Sequence, residues 1–189
     1  MTKVFLSRRD LGIAILFTKH GFEIAESIDE ADLLVFGGGV DVNPSLYNEP
    51  NTASHINVEV DKVDMRHYDM GLSYSLPMVG ICRGGQFLNV MNGGKMVQHV
   101  DDHYGEYYLH KLIDTRTGEV VEVTSTHHQQ MDPSFLYGDC TLIGIAKHDL
   151  GYEIVKYDDQ LCFQPHPEYG HKATEDYFFK LLETELRIK

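Results

Sequence analysis

The chain has 189 residues, 42% of them hydrophobic and 24% charged, which is enough for one sizeable core and short for two full domains, so a single domain over 1–189 is expected. A formal net charge of −13 with no Lys or Arg cluster excludes electrostatic capture of nucleic acid or an anionic membrane surface. Three cysteines, Cys82, Cys140 and Cys162, form no C-x-x-C pair and leave one over from any single disulfide; with no apolar run near the roughly 20 residues that span a bilayer, a cytoplasmic chain is expected.

Lys3–Leu6 reads as a first strand and residues 10–19 as a helix. Ser7-Arg8-Arg9-Asp10-Leu11 has the form of a twin-arginine export signal, but Lys19 and His20 close the apolar run after it and no small-residue cleavage site follows. Leu33–Phe36 is a buried strand, 58–74 a helix, Met78–Ile81 a buried strand and Arg83–Met91 a helix. In the helix over 58–74, Val60, Val63 and His67 fall at helical spacing with Asp61, Lys62 and Asp64 between them, which predicts that the acidic residues face water. After Gly93-Gly94 the texture becomes strand-like: 107–114, a turn at Thr115-Arg116-Thr117-Gly118, 119–124, then 153–157 and 161–164, with a helix over 173–187 closing the chain. Short apolar runs alternating with helices predict an α/β fold: a three-layer αβα sandwich whose mostly parallel central sheet carries an antiparallel edge extension.

Three segments carry chemistry. Gly80-Ile81-Cys82-Arg83-Gly84 follows an apolar run and sets one cysteine between two glycines, as a nucleophile on a sharp strand-to-helix turn requires. The amides at the start of the following helix would favour a thiolate and a developing oxyanion. A buried cysteine in a Gly-rich turn is the plainer alternative. In Gln164-Pro165-His166-Pro167-Glu168 the residues at i and i+2 of an extended chain share a face, so Glu168 can hold the His166 ring as base and orienter for a thiol; a solvated surface turn is the alternative. Gly37-Gly38-Gly39, directly after a buried strand, can supply backbone N–H groups to an oxyanion, and lacks the G-x-G-x-x-G and G-K-[ST] spacings of phosphate loops.

Together with Ser125-Thr126-His127-His128-Gln129, the segments 37–47 (GGGVDVNPSLY), 80–94 (GICRGGQFLNVMNGG) and 164–168 (QPHPE) resemble, in order and spacing, the class I glutamine amidotransferase superfamily. The nearest branch is the gamma-glutamyl hydrolases, the gamma-glutamyl-gamma-aminobutyrate hydrolase-like peptidase C26 group, and the resemblance covers roughly 31–170. It implies a triad of Cys82, His166 and Glu168, oxyanion donors at Gly38 or Gly39 and the Arg83 amide, Gln86 beside a bound γ-glutamyl group, and Ser125, Thr126, His127 and His128 at its amino and carboxylate ends. It implies no metal or organic cofactor, and a small-molecule γ-glutamyl substrate or glutamine. Pro165 departs from the pattern where an aromatic or other side chain precedes His-Pro-Glu, Gly37 stands where Ser or Thr is frequent, and the segment before Gly37 is short.

The expected activity is cysteine-dependent hydrolysis of a γ-glutamyl amide through a thioester, acting as a free-standing hydrolase. The alternatives are a glutaminase subunit that feeds ammonia to a separate synthetase partner, and a non-catalytic binding scaffold on the same fold. Of the eleven histidines, His99, His103, His110, His127 and His128 are the metal candidates, set aside because no carboxylate or cysteine accompanies them at ligand spacing. Arg83 either braces the turn against a carboxylate or stands exposed at a helix start. Glu153 matches only weakly an acidic position of the hydrolase branch, Cys140 and Cys162 read as small core residues, and the tyrosines within 104–108 line an entrance or cover strands.

Overall fold

A computed structural model describes residues 1–101, 103–133 and 140–189, and the side chains of these except 104–108. In chain order the elements are β1 (Lys3–Leu6), α1 (Leu11–Lys19), β2 (Glu23–Ile24), β3 (Leu33–Phe36), α2 (Val58–Ser73), β4 (Met78–Ile81), α3 (Arg83–Met91), β5 (Lys95–Val97), β6 (Tyr104–Asp114), β7 (Val120–Thr126), β8 (Gln130–Asp132), β9 (Cys140–Ala146), β10 (Tyr152–Tyr157), β11 (Gln160–Phe163) and α4 (Lys172–Glu185). The strands form one sheet in the order β2-β1-β3-β4-β11-β10-β9-β6-β7, with β8 pairing β10 and β5 pairing β8. From β2 to β11 the neighbours are parallel; β10 onward is antiparallel. This is the expected α/β sandwich with an antiparallel extension. The short strands β2, β5 and β8, and β9, have no counterpart in the sequence expectation.

Period-2 alternation divides β3 between two cores. Leu33 and Val35 join Ile13 and Phe17 of α1 and Phe178 and Leu182 of α4 on one face. Leu34 and Phe36 join Tyr68 of α2 and Phe87 and Leu88 of α3 on the other. Asp10 caps α1 by accepting from the Ile13 amide at 3.0 Å, and Asn57 caps α2 through the Glu59 and Val60 amides. The crossing of β4 and α3 admits no side chain: a Cβ on Gly80 would lie 2.2 Å from the Gly84 backbone, and one on Gly84 2.1 Å from the Phe36 carbonyl oxygen.

The expected polarity of α2 is corrected. Asp61 and Asp64 are buried, and Val58 is exposed. The cause lies in α3: the guanidinium of Arg83, itself 1% exposed, ion-pairs with both carboxylates. A periodicity of apolar residues cannot register a helix face whose packing partner is a buried cation. Among the described residues, no helix is long and apolar enough to cross a membrane.

Candidate active site

Three adjacent parallel strands, β3, β4 and β11, deliver the three chemical segments at their C-terminal ends, the edge of an α/β sheet where ligands bind. Gly37-Gly38-Gly39 leaves β3, Cys82 leaves β4, and His166 follows β11 by three residues.

Cys82 has φ 51° and ψ −114°, a positive φ that a residue with a Cβ adopts only under constraint. The constraint is visible: its N–H donates to Phe163 O at 2.8 Å, and its carbonyl accepts from the Gln86 amide at 3.0 Å, the first turn of α3. The sulfur therefore sits at the N-terminus of α3 on a residue 8% exposed.

His166 is fixed at three points. Its backbone N–H donates to Thr124 Oγ1 at 2.6 Å, and that hydroxyl donates back to the His166 carbonyl at 3.0 Å. Its Nδ1 lies 2.6 Å from Glu168 Oε1; a carboxylate accepts, so Nδ1 carries the proton of that bond and Nε2 is the other titrating position. Its ring stacks on Tyr169, centroids 4.3 Å apart. Burial by itself lowers the His166 pKa, but the charge of Cys82, their hydrogen bond, and Glu168 outweigh it and push the value up to about 11. A Cβ on Gly38 would stand 3.1 Å from His166 Cε1 and 4.0 Å from the Cys82 Cβ, so the glycine loop, the thiol and the imidazole converge. Pro165 falls in a bend after β11, past the Gln164 N–H bond to Glu153 O at 2.9 Å.

Arg8, which in the sequence stands out only within an export-like motif, holds the glycine loop. One guanidinium nitrogen, Nη2, donates to Gly37 O at 2.9 Å and Gly38 O at 2.8 Å, while Nε meets Asp64 at 3.2 Å. Because a trans peptide sets N–H opposite C=O, both amides that follow, of Gly38 and Gly39, point away from Arg8. Asp64 also accepts from Ser7 Oγ and pairs with Arg83, so one buried carboxylate ties the glycine loop to α3. The Arg83 side chain thus braces the turn against the Asp61 and Asp64 carboxylates.

Gln86 is buried, and its amide donates to Gln129 O at 3.2 Å and Gln164 Oε1 at 3.1 Å; Gln164 Nε2 in turn lies 3.6 Å from Cys82 Sγ. Thr124, Gln164 and Tyr169 stand outside any sequence motif of their own, because a side chain that serves one or two spatial neighbours leaves no spacing signature. The 125–128 block divides. His128 is half-exposed and reaches Asp41, beside the glycine loop, at 3.1 Å. Ser125 turns inward to His103 O at 2.7 Å, and His127 is buried against Gln129 O, 2.9 Å from Nδ1. Thr126 ends β7, partly buried between them. No carboxylate accompanies the histidines at ligand spacing in the sequence, but strand pairing brings Glu153 between His103, His110 and His127 in space. The side chains of the tyrosines within 104–108 lie outside the described residues.

The chain is 36% identical over 171 residues to protein NtpR of Enterococcus hirae, covering 77% of this chain and 70% of that one. It is 28% identical over 114 residues to the carbamoyl phosphate synthase small chain of Wigglesworthia glossinidia brevipalpis, covering 59% of this chain and 30% of that one. It spans about half (47% and 46%) of two further relatives, from Schizosaccharomyces pombe and Mycobacterium tuberculosis, that carry glutamine amidotransferase in their names. Its fold matches the crystal structure of a glutamine amidotransferase from Thermotoga maritima with a TM-score of 0.66 at 16% identity, covering 100% of this chain and 86% of that one. The peptidase C26 family model matches residues 7–168, the stretch that runs from Ser7 beneath the glycine loop to Glu168 beside the imidazole, and the chain therefore belongs to the peptidase C26 family of class I glutamine amidotransferase-like hydrolases.

Proposed function

We propose that this protein is a glutaminase that hydrolyses the side-chain amide of glutamine and passes the ammonia to a separate synthetase. The observation that carries the reading is the His166 ring, its Nδ1 2.6 Å from Glu168 Oε1 and its pKa pushed up to about 11 by Cys82 and Glu168, which favours an imidazolium at neutral pH. In this reading Cys82 Sγ attacks the γ-carbonyl and forms the C–S bond. The oxyanion is met by the amides of Gly38, Gly39 and Arg83. His166 gives its proton to the departing nitrogen, the C–N bond breaks, and ammonia leaves a γ-glutamyl thioester. Water, deprotonated by His166, then splits the thioester to glutamate and restores the pair. Gln86 would position Gln164 against the thiol, and His128, half-exposed beside Asp41, would meet the amino or carboxylate end of the substrate.

The sequence alone ranks a free-standing gamma-glutamyl hydrolase first. The names of the relatives, glutamine amidotransferases and a synthase small chain among them, favour the ammonia-delivering alternative. The free-standing reading keeps support from the family match itself. Comparing turnover of glutamine with that of γ-glutamyl alkylamines separates the two. Preference for glutamine is expected; faster turnover of the alkylamines would select the hydrolase, and no turnover of any γ-glutamyl amide, with no thioester trapped, would leave the scaffold.

A further inference from the structure

Where β6, β7 and β10 meet, a buried carboxylate and three histidines converge away from the thiol. Glu153 on β10 is fully buried, and among the described residues its carboxylate oxygens meet only three imidazoles, none in good hydrogen-bond geometry. His103 Nδ1 and His127 Nε2 each lie 3.3 Å from Oε1, and His110 Nε2 lies 3.6 Å from Oε2. His103 Nδ1 and His127 Nε2 are 3.1 Å apart. His110, its side chain 8% exposed, makes no hydrogen bond through either ring nitrogen to another described residue, Glu153 Oε2 at 3.6 Å being its acidic neighbour.

The outer nitrogens determine what the inner ones present. His103 Nε2 meets Asp149 Oδ2 at 2.9 Å, and His127 Nδ1 meets the Gln129 carbonyl at 2.9 Å. Both partners are acceptors, so the outer nitrogens carry the protons and, in neutral rings, the inner nitrogens present lone pairs. Two imidazole lone pairs and a carboxylate oxygen then face one another at 3.1 to 3.3 Å. Such an arrangement is repulsive unless positive charge sits among them. A tetrahedral ion with ligands at roughly 2.0–2.1 Å sets those ligands roughly 3.3–3.4 Å apart, close to the spacing present here.

We propose that this cluster is a buried transition-metal site, suited to Zn2+, with His103 Nδ1, His127 Nε2 and Glu153 as ligands and His110 Nε2 completing the set. Imidazole-rich donors select zinc-like ions over Mg2+ and Ca2+, which prefer all-oxygen shells. Asp149 and the Gln129 carbonyl fix the ring tautomers from outside, as the partners of metal-bound histidines do. With no open position the ion would be structural, tying β10 to the β6–β7 hairpin. It would also steady the Gln129 carbonyl, which accepts from both His127 and Gln86. The competing occupant is a pair of extra protons, one on each inner nitrogen.

The test uses the full chain carrying Cys82→Ser, so that the thiol does not compete for metal, stripped with a chelator and titrated with Co2+ and then Zn2+. The expected result is one equivalent of Co2+ per chain with the intense visible bands of a tetrahedral site, its displacement by Zn2+, and a raised melting temperature. Glu153→Gln or His127→Gln should weaken uptake by at least about 100-fold, Asp149→Ala by about 10–100-fold, and His99→Gln, outside the cluster, should not change it. Absence of stoichiometric uptake in the folded Cys82→Ser chain would overturn the proposal and leave the protons as occupants, as would uptake that persists unchanged in Glu153→Gln. Because the first titration needs no cluster variant, a variant that fails to fold does not block the decision.

Discussion

Gly38 and Thr124 both bear on His166, one by having no side chain beside its ring and the other by gripping its backbone. Gly38→Ala places a methyl group 3.1 Å from His166 Cε1, so the ring must give by a few tenths of an ångström; turnover should fall up to about 10-fold with little change in melting temperature, since a misplacement of about 1 Å costs roughly 100-fold. The charge on the ring has its own signature. Its pKa in the folded chain is pushed up to about 11 from 6.5, so this group's contribution to stability is fully present below pH 6.5 and is lost as pH rises through about 11. Removing the sulfur in Cys82→Ala takes away the strongest raising influence, and the His166 ring resonance, followed by NMR against pH, should titrate at lower pH than in the wild type. An unchanged titration would mean that thiol and imidazole are not electrostatically coupled.

The elements differ in how far their sequence reveals them. β3, β4 and α3 are legible because short apolar runs meet glycines there, and Gly80 and Gly84, where β4 crosses α3, are dictated by contacts below 3 Å. α2 was legible as a helix but not in orientation: Asp61 and Asp64 face inward to Arg83, and a pattern reading assigns carboxylates to water. Arg83→Met should leave both carboxylates short of a buried partner and cost about 3–5 kcal/mol in urea denaturation; a loss below about 1 kcal/mol would mean that water reaches them. Arg8 acts at the same scale, linking α2 to the glycine loop. With Arg8→Ala the carbonyls of Gly37 and Gly38 lose their anchor, and kcat should fall about 100-fold with KM nearly unchanged, since an oxyanion exists only after attack. An equal rise in KM would instead place Arg8 in substrate binding.

At the scale of the molecule, the sheet explains why four segments scattered from Gly37 to Glu168 form one site. The parallel order β3-β4-β11 sets their C-terminal ends side by side, and the antiparallel extension brings the 124–128 segment across to His166 and Asp41. The parallel half could be expected from alternating strands and helices. The extension could not be traced in full, because β5 and β8 are three residues each and the burial of Glu153 depends on partners some 26 to 50 positions upstream. The same topology leaves one sulfur, at the end of β4, to account for all turnover. The direct measurement is ammonia release from glutamine by the wild-type chain and by Cys82→Ala under the same conditions. Turnover in the wild type and a loss of about 1,000-fold or more in the variant is the predicted result; ammonia released at equal rates by both would contradict it.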